Sequence, residues 1–144
     1  MKVFTIGFTK KSAEDFFTRL SSAGVKRVVD VRLNNVSQLA GFAKAHDLKY
    51  FLRQVGGIDY AHIPEFAPTQ DILDDFKKNK GSWETYRRKF NKLISERNME
   101  QVFFDKIKDG DCLLCSEDTH EQCHRGILTD HFKKYEPGLE VKNL

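Results

Sequence analysis

The sequence has no run of about twenty apolar residues, the length a helix needs to cross a bilayer, so no membrane-spanning helix is expected among its 144 residues. The first eight residues carry no apolar stretch backed by a cleavage site, and nothing there marks export. Cysteine is scarce. There are three, and an odd count with two of them beside polar partners argues against a disulfide framework and for a reducing, cytoplasmic setting in which all three thiols are free. Charge of one sign is also scarce: the formal net charge is +3, far from the strongly basic balance of dedicated nucleic-acid binders. Repeats, low-complexity segments and interdomain linkers are absent as well, which excludes solenoids and tethered modules.

What is present fits a globular chain. Hydrophobic residues make up 40% and charged residues 31%, and a chain of this length builds one core of ordinary size. Residues 1–144 are therefore expected to form a single domain. Residues 2–6 read as a β-rich run ending at Gly7, and Ser12 with Asp15 three positions on begins a helix. In that helix Ala13, Phe16, Phe17 and Leu20 recur at helical spacing, and Gly24 ends it. A second strand over 26–31 then closes a β-α-β unit, which requires a parallel pair with a right-handed crossover.

Further along, residues 34–44 read as a loop with a short helical turn, long enough to form a flap over the strand ends. A helix over 46–55 stops at Gly56 and Gly57, and a third strand over 58–63 is interrupted by Pro64. Helices are expected over 71–80, 83–97 and 99–107, the second capped by Ser82 and buried through Trp83, Tyr86, Phe90, Leu93 and Ile94. Asp109 and Gly110 lead into a fourth strand, and residues 139–142 into a short edge strand after the Pro137-Gly138 turn. The fold class is α/β: one three-layer domain with a mostly parallel central sheet and helices on both faces.

The chemistry collects between Asp111 and Tyr135. A short apolar strand (Cys112, Leu113, Leu114) gives way to a polar crossing from Cys115 to Glu121, and Cys123, His124 and Arg125 open a helix. The carboxyl ends of parallel strands leave a crevice beside helix N-termini, whose open N–H groups attract anions. A second polar pair, Asp30 and Arg32, brackets Val31 at the tail of the second strand, so both side chains point to one face. Buried there, the acid must be used in chemistry or paired with Arg32 or nearby backbone. His62 and Glu65 sit at the far end of the third strand, where a histidine is more often structural.

Three chemistries compete for the central stretch. In the first, Arg125 at a helix N-terminus supplies a fork for phosphate or carboxylate, with Glu117 as acid, base or nucleophile, as where a glycosidic bond is made or broken. The second is thiol chemistry at Cys115 or Cys123, favoured by a nearby arginine and helix start. Nine residues separate Cys115 from Arg125, however, too many for a loop wrapped tightly round one anion. The third is a metal held by Cys112, Cys115, Cys123 and His124, or by Cys115, His120, Cys123 and His124. Residues three apart on a strand face opposite ways, so no metal is expected. A separate basic run, Lys77, Lys78, Lys80, Arg87, Arg88, Lys89 and Lys92, reads as a solvated helical face or a surface that meets phosphate.

Several of these blocks together are familiar. Thr5-Ile6-Gly7, Val29-Asp30-Val31-Arg32, Gly57-Ile58 with Tyr60 and His62, Trp83 with Tyr86, Leu114-Cys115 with Glu117, and Cys123-His124-Arg125 resemble the family called domain of unknown function 488 over residues 3–142. The chain departs from that pattern at Asn34-Asn35-Val36-Ser37, where family members carry proline and serine. The resemblance implies a small cytoplasmic α/β protein whose shared polar residues fall on Asp30, Arg32, Cys115, Glu117, Cys123, His124 and Arg125.

The resulting expectation is an enzyme acting on a phosphate-bearing substrate, a nucleotide or nucleic acid, without cofactor, metal or membrane. Glu117, Asp30 and Cys115 are the candidate catalysts. Arg32 and Arg125 are the anion clamps, with His124, Thr5 and Cys123 as further substrate contacts. The alternatives are a non-catalytic module whose basic helix around Arg87 binds nucleic acid, and a thiol-dependent redox enzyme.

Overall fold

The computed structural model describes residues 1–36 and 41–144. The chain runs β1 (Lys2–Gly7), α1 (Ala13–Ala23), β2 (Arg27–Asp30), α2 (Ala45–Gly56), β3 (Asp59–His62), α3 (Gln70–Lys77), α4 (Trp83–Arg97), α5 (Met99–Lys106), β4 (Asp111–Cys115), α6 (His124–Tyr135) and β5 (Glu140–Asn143). The strands form one sheet in the order β3-β2-β4-β1-β5, and every pairing is parallel. The mostly parallel sheet expected from the sequence is thus parallel throughout the described residues.

Alternation along the strands builds two cores. Val29, Val31, Leu113 and Cys115 pack with Ile72, Phe90, Phe103 and Phe132 from α3 to α6. Val28, Phe4, Ile6, Cys112 and Leu114 pack with Phe16, Phe17, Leu48 and Leu52 from α1 and α2. The sheet therefore has helices on both faces, the three-layer arrangement. Burying a leucine or phenylalanine this way contributes about 1.5–3 kcal/mol each.

Local signals set the helix ends. Ser12 accepts from the Asp15 amide at 3.0 Å, Ser82 from the Thr85 amide at 3.1 Å, and Gly24 and Gly57 end α1 and α2 in the left-handed region at φ 76° and 62°. Helix α3 stops at Lys77, short of the expected 80. There the Asn79 amide returns to the Asp74 carbonyl and Lys80 takes φ 53°. In the loop after β2 a 3-10 turn forms at Gly41–Ala43, while residues 37–40 of the expected flap, Ser37 included, lie outside the described residues. No described helix is long and apolar enough to cross a membrane.

Candidate functional site: a cleft at the ends of β2 and β4

The chain leaves β2 towards the α1/α2 face and β4 towards the opposite face, so neighbouring strand ends part and open a crevice, the position where α/β sheets bind ligands. A cleft of about 380 Å³ lies there. Arg32 and Asn34 border it from the end of β2, Leu73, Phe76 and Lys77 from α3, Tyr86 from α4, and Cys115, Glu117, Cys123 and His124 from the β4–α6 crossing. Of the expected site residues, Arg32, Cys115, Glu117, Cys123 and His124 thus converge. Asp30, Thr5 and Arg125 do not border the cleft.

Asp30 and Arg32 form a buried fork, as their spacing about Val31 allows. Arg32 Nε donates to Asp30 Oδ1 at 2.8 Å and Nη2 to Oδ2 at 2.7 Å, while the Arg32 amide reaches Oδ1 at 3.1 Å. Tyr60 adds a donated hydroxyl bond to Oδ2 at 2.6 Å. Its phenol is raised well above its usual range, first by burial and then by the adjacent carboxylate. The Asp30 carboxylate thus takes the paired arrangement, one of the two expected for it, and holds Arg32 in place. Arg32 also gives Nη2 to the Ala43 carbonyl at 2.7 Å and lies over the Phe8 ring, 5.3 Å from its centroid. Its Nη1 is buried with no hydrogen-bond partner among the described residues. His62 Nε2 lies 2.8 Å from the Arg32 carbonyl and braces the same turn.

Helix α6 starts directly beside this arginine. Cys123 occupies the cap position without a side-chain capping bond, and the Gly126 amide turns back to the Cys123 carbonyl at 3.1 Å, which leaves the amides of His124 and Arg125 as the uncapped donors of the helix start. His124 donates from Nε2 to the Val31 carbonyl at 2.7 Å, tying the helix start to the residue preceding Arg32. Burial lowers the His124 pKa to about 4, helped by Arg125 and opposed by the Val31 bond and the fields of Asp30 and Glu117. The ring is neutral at pH 7.

That shift sets a pH window. Between the unfolded value of about 6.5 and about 4, the unfolded chain binds a proton that the native chain refuses. Stability from this group is therefore complete above pH 6.5 and is lost as pH falls through 4, a loss of up to about 3 kcal/mol. Urea unfolding across that range is expected to show the decline, and His124→Gln is expected to flatten it. An equal slope in both proteins would refute the assignment.

The crossing between β4 and α6 is clamped at several points. Thr9 donates its amide to the Ser116 carbonyl at 3.1 Å and its hydroxyl to the same oxygen. The Lys11 ammonium, its side chain nearly fully buried, reaches Asp118 Oδ1 at 2.8 Å. Arg125 is the inner strut: Nη1 donates to Cys115 Sγ at 2.7 Å and to the Glu117 carbonyl at 2.8 Å, and Nη2 lies 3.3 Å from the Asp118 carbonyl. Burial lowers its pKa to about 10, so it remains charged. The expected anion clamp thus points into the loop, because the second residue of a helix is turned by about 100° from the first. Two glycines make room for the crossing. A Cβ on Gly7 would stand 1.5 Å from the Glu117 carbonyl oxygen, and one on Gly126 would stand 2.4 Å from that of His120.

At the mouth of the cleft Glu117 pairs with Lys77 of α3. Both side chains are close to half exposed, and Glu117 and Asp74 are the carboxylates that border the cleft. Thr5 turns away, its hydroxyl bonding the Asn143 side chain at 2.5 Å, which fastens β5 to β1 instead of meeting substrate.

The cysteines divide as strand alternation requires. Cys112 packs on the α1/α2 face and is free, its thiol pushed far up by burial. Cys115 faces the other side, where its sulfur meets that of Cys123 across the crossing, with the Cα atoms 7.7 Å apart. The expectation of three separate thiols therefore holds for Cys112 alone, because the turn folds its two limbs onto each other. The Cα separation exceeds the roughly 4.4–6.8 Å usual for a disulfide.

Gly7, Tyr60 and Tyr86 stand in the blocks that carry the family resemblance but receive no site role from the sequence, and Lys77 reads there only as part of a solvated face or a surface that meets phosphate. Tyr60 had a usable signal, since in a parallel pair it shares a face with Asp30. Lys77 had none, because its meeting with Glu117 spans forty positions.

No curated protein and no solved structure matches the chain. A family model described as Domain of unknown function DUF488 matches residues 12–132. That covers most of the chain, including β2, the Asp30–Arg32 fork, the β4–α6 crossing and the start of α6, and the chain belongs to this family.

Proposed function

We propose that the chain is a cytoplasmic enzyme acting on a phosphate-bearing substrate, a nucleotide or nucleic acid, in the cleft between β2, β4 and α3. Arg32 and the open start of α6 hold the anion, and Glu117 moves the proton. The observation that carries this reading is the buried Arg32 Nη1 without a partner among the described residues, close to the uncapped helix start that the His124 bond ties to Val31. A buried charged donor left unsatisfied costs about 1–3 kcal/mol or more, and a bound anion removes that cost. Glu117 suits proton transfer because only the exposed Lys77 restrains it, whereas Asp30 is fully engaged.

Incubating the protein with a panel of nucleotides and short oligonucleotides, with products read by mass spectrometry, tests the proposal. Glu117→Gln is expected to lower turnover by about 10²–10⁴-fold while leaving substrate affinity within a few-fold. Undiminished turnover in Glu117→Gln would remove Glu117 from the chemistry.

A thiol-dependent reading is favoured by one observation of its own, the contact of the Cys115 and Cys123 sulfurs beside the Arg125 guanidinium. On that reading Cys115→Ser abolishes activity and Glu117→Gln does not. A nucleic-acid-binding face on α4 has less support, because Arg87, Lys89 and Lys92 on that helix each have a carboxylate within 4.0 Å.

A further inference from the structure

We propose that the cleft is a mononucleotide site, taking a nucleoside 5′-monophosphate with its phosphate on Arg32 and the α6 start and its base against the α3/α4 wall. The inference rests on the anion reading above and narrows its substrate class.

Three features of the cleft select this ligand. The first is size. About 380 Å³ falls at the small end of ligand pockets, which span roughly 300–1,000 Å³, and matches one nucleotide unit. The second is the division of its lining into a polar floor and an apolar side. The floor is Arg32 and the α6 start. The side is Leu73, Phe76 and Tyr86, with the Phe76 and Tyr86 rings 5.0 Å apart and Trp83 stacked behind Tyr86. Aromatic and aliphatic walls of this kind hold a base of any sequence by stacking and burial.

The third is charge. The helix start carries roughly half a positive charge, and Arg32, whose charge is balanced by Asp30, keeps one nitrogen, Nη1, without a partner among the described residues, which suits a single phosphate group. Lys77 and Lys78, the other cations among the described residues bordering the cleft, lie against Glu117 and Asp74, so no unopposed cation among the described residues remains there for a diphosphate or triphosphate tail. Asn34 and Gln70, joined by a 3.4 Å amide contact, border the cleft between the end of β2 and α3. Each side-chain amide carries both a donor and an acceptor and can read the edge of a heterocycle.

Calorimetric titration of the full chain with a nucleoside 5′-monophosphate, the matching nucleoside, ribose 5-phosphate, inorganic phosphate, the nucleoside triphosphate and a short single-stranded oligonucleotide provides the test, repeated for the four common bases. For at least one base the monophosphate is expected to bind tenfold or more tighter than the nucleoside, ribose 5-phosphate and the triphosphate. Leu73→Ala is expected to weaken the monophosphate about tenfold while leaving inorganic phosphate unchanged, which also verifies the fold of the variant. Equal affinity for ribose 5-phosphate and the monophosphate would overturn the inference and leave the anion reading standing. Tighter binding of the triphosphate or oligonucleotide, or no effect of Leu73→Ala, would also overturn it. Failure of every phosphate compound to bind would sink both.

Discussion

Gly7→Ala is expected to destabilise the protein by about 3 kcal/mol or more, the upper range of overpacking costs, and to abolish phosphate binding in the cleft. An alanine Cβ would stand 1.5 Å from the Glu117 carbonyl oxygen, 2.5 Å from its carbon and 3.1 Å from Arg125 Nη1. Neither neighbour yields easily. The carbonyl is held by Arg125, and the flanking residues are tied to Thr9 and Lys11. The crossing must therefore lift away from β1, taking Cys115, Glu117 and the α6 start with it. Gly138→Ala is the control: its nearest neighbour is Glu136 Oε1 at 3.8 Å, and its effect on the chemical-denaturation midpoint is expected to be negligible. Similar behaviour of the two variants would show that the crossing is not wedged against β1.

Asp30→Ala is expected to cost about 3–5 kcal/mol, the usual penalty for stranding one partner of a buried ion pair. Arg32 is 3% exposed, and without Asp30 its charge would keep, among the described residues, the Ala43 carbonyl and the Phe8 ring. Tyr60 would lose its acceptor as well. The double variant Asp30→Ala/Arg32→Met removes the stranded charge and is expected to be more stable than Asp30→Ala alone, because burying two apolar groups in place of a pair is often neutral or favourable. The same double variant is expected to lose phosphate binding. Denaturation curves for the single and double variants decide the matter, and a double variant no more stable than Asp30→Ala would contradict the pairing.

Much of the scaffold was legible because local chemistry dictates it. The β-α-β start, the Ser12 and Ser82 caps and the two-sided sheet follow from period-2 and period-3.6 patterns that tertiary packing did not override. The Asp30–Arg32 fork was equally legible, since residues two apart on a strand share a face. The alternation that set Cys112 apart from Cys115 follows from the same geometry. The cleft wall was not legible. Helix α3 meets the β4–α6 crossing only through long-range contacts, and no local pattern announces that Lys77 and Glu117 will face each other.

Arg125 shows a different limit. A guanidinium near a helix start can serve a ligand or the loop before it, and the choice depends on a rotation that residue types do not encode. Here Arg125 turns inward to the crossing, and of the two expected clamps Arg32, just past the end of β2, is the one that borders the cleft. For the basic run on α3 and α4, the solvated-face reading gains support from charge pairing along the helices. Glu84 and Arg87, Lys92 and Glu96, and Asp74 and Lys78 lie at the three- and four-residue spacings that pair charges on a helix.

The central claim is that Arg32 and the start of α6 form one anion site. Nuclear magnetic resonance titration of the folded chain with inorganic phosphate tests it most directly, following the backbone amides of His124 and Arg125 and the side-chain guanidinium of Arg32. Those signals are expected to shift together, saturably and at a single affinity, while the guanidinium of Arg87 on the outer face of α4 stays in place. Shifts confined to surface arginines such as Arg87, with His124, Arg125 and Arg32 unmoved, would contradict the claim.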